Sequence, residues 1–84
     1  MGIKILRKPE VLGCFSFSRS TLYSRIEKGI IPPPIQLGGA RAVGWLEHEI
    51  HAVLAAMAAN KNTDELKALV THLIDQRQSA MRAS

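Results

Sequence analysis

The residues best equipped for chemistry in this chain are three histidines, one cysteine and a cluster of serines, and their spacing decides what they can do. His48 and His51 stand three apart on one helical stretch, so they could approach a common metal. The run His48-Glu49-Ile50-His51 is one residue short of the zinc-protease spacing, which needs histidines four apart, and no third ligand stands nearby. Solvated helix histidines are the expected state, with no metal and no cofactor. His72 is isolated. The serines lack a matched histidine and acid, and no glycine-rich phosphate loop follows a strand, so the chain reads as a non-enzyme. Cys14 is the single cysteine and cannot form an internal disulfide. That fits a reducing cytoplasm and excludes a cysteine-rich zinc module.

A different chemistry is concentrated between residues 18 and 28. Ser18 is a natural N-cap, with a hydroxyl able to accept from the backbone N–H of Ser20 or Thr21. A helix then runs to about Lys28, and Gly29 stops it. Leu22 and Ile26 are four apart and share its inward face. At about 100° per residue, Ser24 falls opposite Leu22, flanked by Ser20 and Lys28, with Thr21, Tyr23, Arg25 and Glu27 on the shoulders. The outward face is polar, hydroxyl-rich and edged by basic residues, a chemistry suited to the major groove of DNA.

Charge distribution agrees. Residues 1–42 hold seven of the eleven basic residues and two of the seven acidic ones, so the whole net +4 arises there. Such asymmetry suggests a polyanion partner, the alternative being a solvated basic face with none.

The elements that must position these residues can be read along the chain. Eighty-four residues make one domain with a modest core and little room for a deep pocket. The most apolar stretch, Ala52 to Ala59, is far too short to span a membrane. Met1 to Arg7 lacks the apolar core of a signal peptide. A short first helix is expected from about Pro9 to Gly13, with Val11 and Leu12 inward, Gly13 supporting a turn, and Phe15 and Phe17 plugging the core. Pro32, Pro33 and Pro34 force an extended segment. Ile35 to Leu37 and Ala42 to Trp45 read as strands of a hairpin turning at Gly38-Gly39-Ala40-Arg41. A third helix is expected from about Leu46 to Ala59, with Leu46, Ile50, Val53, Leu54 and Met57 on its apolar face. Asn62 and Glu65 have capping-box spacing before a last helix to about Met81, striped by Leu66, Leu69, Val70, Leu73, Ile74 and Met81. That helix either folds back on the core or meets a second copy. Removing residues 62–84 is expected to change oligomeric state before it changes the fold of residues 1–59.

Ser18-Arg19-Ser20-Thr21-Leu22-Tyr23, Ile26-Glu27-Lys28-Gly29, Pro34-Ile35-Gln36-Leu37-Gly38 and Arg41 to Ile50 together resemble the AlpA family of phage and prophage regulators. Pro9-Glu10-Val11-Leu12 stands upstream, where that family's first helix would be. The resemblance covers roughly residues 5–57, and its specificity lies in several pieces agreeing in order. It implies a mainly α fold with a small β-hairpin wing, a MerR-like winged helix-turn-helix over residues 1–59. Residues 60–84 lie outside the family's motif and inherit no role from it; their own apolar stripe reads as a C-terminal helix for packing or oligomerisation. The DNA-reading helix would be Arg19 to Lys28, capped by Ser18, and the wing Gly38, Gly39 and onward to Arg41. Gly13 to Phe17 departs from the family's usual Thr-Gly-Leu-type turn, which leaves the angle between the two helices open.

On that reading, Arg7, Lys8, Arg25, Lys28 and Arg41 neutralise phosphates, while Ser20, Thr21, Ser24 and Arg19 meet base edges. Tyr23 either bonds a phosphate or packs on the first helix. Arg41 enters a minor groove or touches a phosphate. Trp45 belongs in the core. The expected partner is double-stranded DNA, with a homodimer through the C-terminal helix, no membrane and no small-molecule ligand, in a bacterial cytoplasm at the nucleoid. A transcriptional regulator and a DNA-bending excisionase share this fold, and a protein-interaction module acting through the last helix is the reading of another class.

Overall fold

The computed structural model describes residues 3–39 and 41–83, with side chains as far as residue 79. Its elements run β1 (Ile5–Leu6), α1 (Lys8–Phe15), α2 (Arg19–Glu27), β2 (Ile35–Gln36), β3 (Val43–Leu46), α3 (Glu47–Ala58) and α4 (Thr63–Ala83). The chain is mainly helical, with one small antiparallel sheet in the order β1-β3-β2. No helix among the described residues is long and apolar enough to cross a membrane.

α1 starts with Pro9 in its first turn, where the missing N–H is no loss, and Glu10 accepts from the Arg7 backbone N at 3.0 Å. It runs two residues past the expected stop at Gly13, which is an ordinary helical residue with open space around it. The left-handed residue is Ser16, at φ 57°. A serine there is strained. The compensation is on either side, where the Phe15 and Phe17 rings stack 5.2 Å apart and pack against the core. The tight turn that follows brings the chain into α2. There the Ser18 hydroxyl accepts from Thr21 N at 3.3 Å, the N-cap expected from sequence. Gly29, at φ 79°, ends α2, with Ile30 N donating back to Arg25 O.

β3 is the central strand. It pairs with β2 through Ile35↔Gly44 and Gln36↔Val43, and with β1 through Ile5↔Leu46 and Leu6↔Trp45. The hairpin begins one residue later on its return arm than expected, and Leu37 N donates to Ala42 O at 2.8 Å. Ala40, at its turn, lies outside the described residues. β1 was not anticipated, because a two-residue strand carries no alternation to detect.

The core gathers Leu6, Val11, Leu22, Ile31, Trp45, Ile50, Val53, Val70 and Leu73, all buried. Trp45 is wholly enclosed, and its indole Nε1 donates to Pro32 O at 3.0 Å. α4 starts with the reciprocal bonds of a capping box, Asn62 N to Glu65 Oε1 at 3.2 Å and Glu65 N to Asn62 Oδ1 at 2.9 Å. It then folds back along α3 and buries Leu66, Val70 and Leu73. Met81, the last member of its expected stripe, has no described side chain.

Candidate nucleic-acid interface

One face of the molecule is assembled from three separate segments: the start of α1, the N-terminal half of α2, and the arm of the hairpin. Between them lies a cleft of about 370 Å³ lined by Arg7, Lys8, Pro9, Arg19, Arg41 and Val43. Four cations thus line one open depression, contributed by stretches of chain far apart in sequence. Among the described residues, none of Arg7, Lys8, Arg19, Arg25, Lys28 and Arg41 forms an ion pair. Three of the five acids of the second half pair elsewhere: Glu47 with Lys4 at 3.5 Å, Glu65 with Lys61 at 3.6 Å, and Glu49 with Arg77. Charge of one sign held together this way costs self-repulsion, which an incoming anion would relieve.

Arg19 is where sequence and structure part company most clearly. The sequence reading set it with the base readers, whereas in the structure it stands in the wall of the cation cleft beside Arg7, Lys8 and Arg41. It is the first residue of α2, exposed, and shares the cleft lining with the start of α1.

The remaining residues of α2 divide by exposure. Ser20 and Lys28 are exposed, while Thr21, Ser24 and Arg25 are half-buried. The helical wheel had put Ser24 outermost. The most open flank is instead the one carrying Ser20, Tyr23 and Glu27, because Arg25 lies over the Phe17 ring at 5.8 Å and that packing covers the other flank. The Thr21 hydroxyl accepts from Ser18 Oγ at 3.0 Å, so both hydroxyls serve the cap first, and Thr21 keeps its own proton to donate. Tyr23 takes the packing alternative in part: Lys8 Nζ sits 5.0 Å from its ring centroid, a cation–π contact that ties α1 to α2. Gly39 and Arg41 are exposed on the hairpin. His48 and His51 are exposed on α3, away from the cleft lining.

Residues 4–55 match the family model described as prophage CP4-57 regulatory protein (AlpA). The chain belongs to the AlpA family. An uncharacterized protein, ORF88, of Enterobacteria phage P4 is similar as well, 43% identical over 58 residues. That alignment covers 69% of this chain and 65% of the phage protein, so the chain spans about two thirds of the length of the relative it matches. No solved structure matches the chain. The AlpA match takes in every residue of the cation cleft and stops within α3, so α4 is structure added beyond it.

Glu49 was missed by sequence reasoning. It is a fully buried carboxylate on α3, met by the Arg77 Nε at 3.1 and 2.8 Å from its two oxygens. A wheel of α3 would have found it, since Glu49 adjoins Ile50 and lies four before Val53 on the inward side.

Proposed function

We propose that this AlpA-family protein is a phage- or prophage-type regulator that binds double-stranded DNA in a sequence-specific way. In this reading α1 and α2 form the helix-turn-helix, α2 enters the major groove, and the β2–β3 hairpin is the wing, lying on the flanking backbone or in the minor groove. The observation that carries it is the cleft of four cations, free of ion pairs among the described residues, set beside the exposed first residues of α2, Arg19 and Ser20. Helix-turn-helix readers contact bases with that end of the recognition helix. Glu27, exposed at the far end of α2, is the wrong charge for a phosphate and favours the same polarity of approach.

The roles then divide. Arg7, Lys8, Arg19 and Arg41 neutralise phosphates and set the register, with Lys28 at the far end of the helix. Ser20, with Thr21 and Ser24 behind it, meets base edges, where a small hydroxyl can serve as donor or acceptor. Arg25 and Tyr23 hold the two helices in place and meet the backbone at their margins.

A fluorescence-anisotropy titration with duplexes drawn from the flanking genome, across a range of salt, tests the reading. Arg19→Ala should weaken binding to all sequences alike and flatten the plot of log K against log salt by about 0.9, the loss of one phosphate contact. Ser20→Glu should abolish preference for the best duplex. It places an acid in the first turn of α2, which favours the helix, so lost binding would not reflect lost folding. A folded wild-type protein that binds no duplex at low salt would overturn the proposal.

A further inference from the structure

Pro32, Pro33 and Pro34 connect α2 to the first arm of the hairpin, and none of the three has a backbone N–H. Such a segment cannot be tied to the body of the protein by its own donors. Besides the packing of buried Pro32, hydrogen bonds can hold it only through its carbonyls, by donors reaching from elsewhere. Two of the three carbonyls are held in this way. Trp45 Nε1 donates to Pro32 O at 3.0 Å, and Arg77 Nη2 donates to Pro33 O at 3.0 Å. Ile35, the first residue of β2, follows after a single proline.

Arg77 is held in turn. Its Nε reaches both carboxylate oxygens of Glu49, whose side chain is 1% exposed, while the Arg77 side chain is 19% exposed. The planar fork lets one side chain serve α3 and the proline segment at once, a geometry a lysine ammonium does not reproduce. Arg77 therefore joins three parts of the molecule: α4 that carries it, α3 through Glu49, and the base of the hairpin through Pro33.

We propose that Arg77 is a positioning residue for the hairpin. α4, through Arg77, sets the angle at which β2 and β3 leave the core, and so fixes where Arg41 stands relative to α2. The link acts on the hairpin from outside the AlpA match, so α4 is a buttress for the cleft as well as a cover for α3. The inference rests on the DNA-binding reading for its consequence but not for its geometry, and two measurements separate them.

The variant of choice is Arg77→Lys, which keeps a cation beside Glu49 and removes the fork. Glu49→Leu/Arg77→Met, which replaces both partners with apolar side chains, serves as a second variant that strands no buried charge. The first measurement is the amide spectrum of the full chain without DNA. In both variants the resonances of Leu37, Gly38, Gly39 and Val43 should shift while those of Arg19 to Tyr23 stay in place. Unmoved hairpin resonances in folded variants would overturn the proposal, whatever the protein binds. The second is duplex affinity in a double-mutant cycle with Arg41→Ala. If the wild-type chain loses about tenfold on Arg41→Ala, the Arg77→Lys chain should lose about twofold or less, because its Arg41 is already misplaced. Equal losses in both backgrounds would show that Arg77 only stabilises the fold. Absence of duplex binding by the wild-type chain would overturn the DNA reading alone and leave the spectral test to decide.

Discussion

Gly44 sits on the central strand between two neighbours that leave no room for a side chain. A β-carbon there would collide with Ile5 Cγ2, and would come within 3.1 Å of Leu6 O and 3.2 Å of Leu37 Cδ1. Two of those atoms belong to side chains that can turn, but the Leu6 carbonyl is backbone. Gly44→Ala should therefore destabilise the protein by about 1–3 kcal/mol, the usual cost of overpacking a close contact. A urea denaturation with a lowered midpoint and an unchanged slope is the expected result; an unchanged midpoint would mean β1 moves aside freely. Nothing in the sequence marked this glycine, since it is the third strand that crowds it. Arg19 teaches a related lesson. Its type and place in the helix were legible, but whether it faced groove or cleft depended on where α1 and the hairpin came to rest.

At the scale of elements, most of the helices were legible because their ends carry their own signals. Ser18 at the start of α2, Gly29 at its end and the Asn62–Glu65 pair before α4 all act through bonds within a few residues. Ser18→Ala removes both the Thr21 N–H acceptor and the partner of the Thr21 hydroxyl, at a cost of about 1 kcal/mol. Thermal melting should show the loss, and DNA affinity should fall with it if the first turn of α2 is the reading edge. An unaltered melting curve would mean that packing of Leu22 alone holds that turn. The end of α1 was less legible. The sequence offered Gly13 as the natural stop, yet the helix continues to Phe15, because stacking two half-buried phenylalanines across Ser16 outweighs the strain of one left-handed serine.

At the scale of the whole molecule, α4 is on the order of 30 Å long against a greatest extent of 35 Å. Gly29, at the end of α2, approaches its Lys67, and Pro33 meets its Arg77. Val70 and Leu73 lie in the same cluster as Trp45 and Leu22. On this packing we expect removal of residues 62–84 to disturb the fold before it changes oligomeric state. Removing residues 62–84 would uncover that cluster and take away the guanidinium that covers Glu49. The shortened chain should show a strongly lowered or absent cooperative transition by circular dichroism, before any question of oligomeric state arises. Equal stability with and without α4 would contradict the packing described here. Of the stripe that had suggested a homodimer, Leu66, Val70 and Leu73 are buried within one chain and Leu69 and Ile74 are partly buried against the same core.

The sequence by itself determined the features that rest on local bonds and local pattern: the helices, the caps that open α2 and α4, the hairpin, the basic first half, and the family resemblance that the match to residues 4–55 bears out. Only the tertiary structure decided which cations share a cleft, that β1 completes the sheet, and that the C-terminal helix is bound into the core by Glu49 and Arg77. The physical reason is the range of the interaction. A cap is satisfied within three or four residues and leaves a signature at that spacing, whereas the Arg77–Glu49 pair spans 28 residues and the Arg77–Pro33 bond spans 44. Pairings at such separations depend on how the elements pack, and a single chain's pattern does not encode them at any fixed offset.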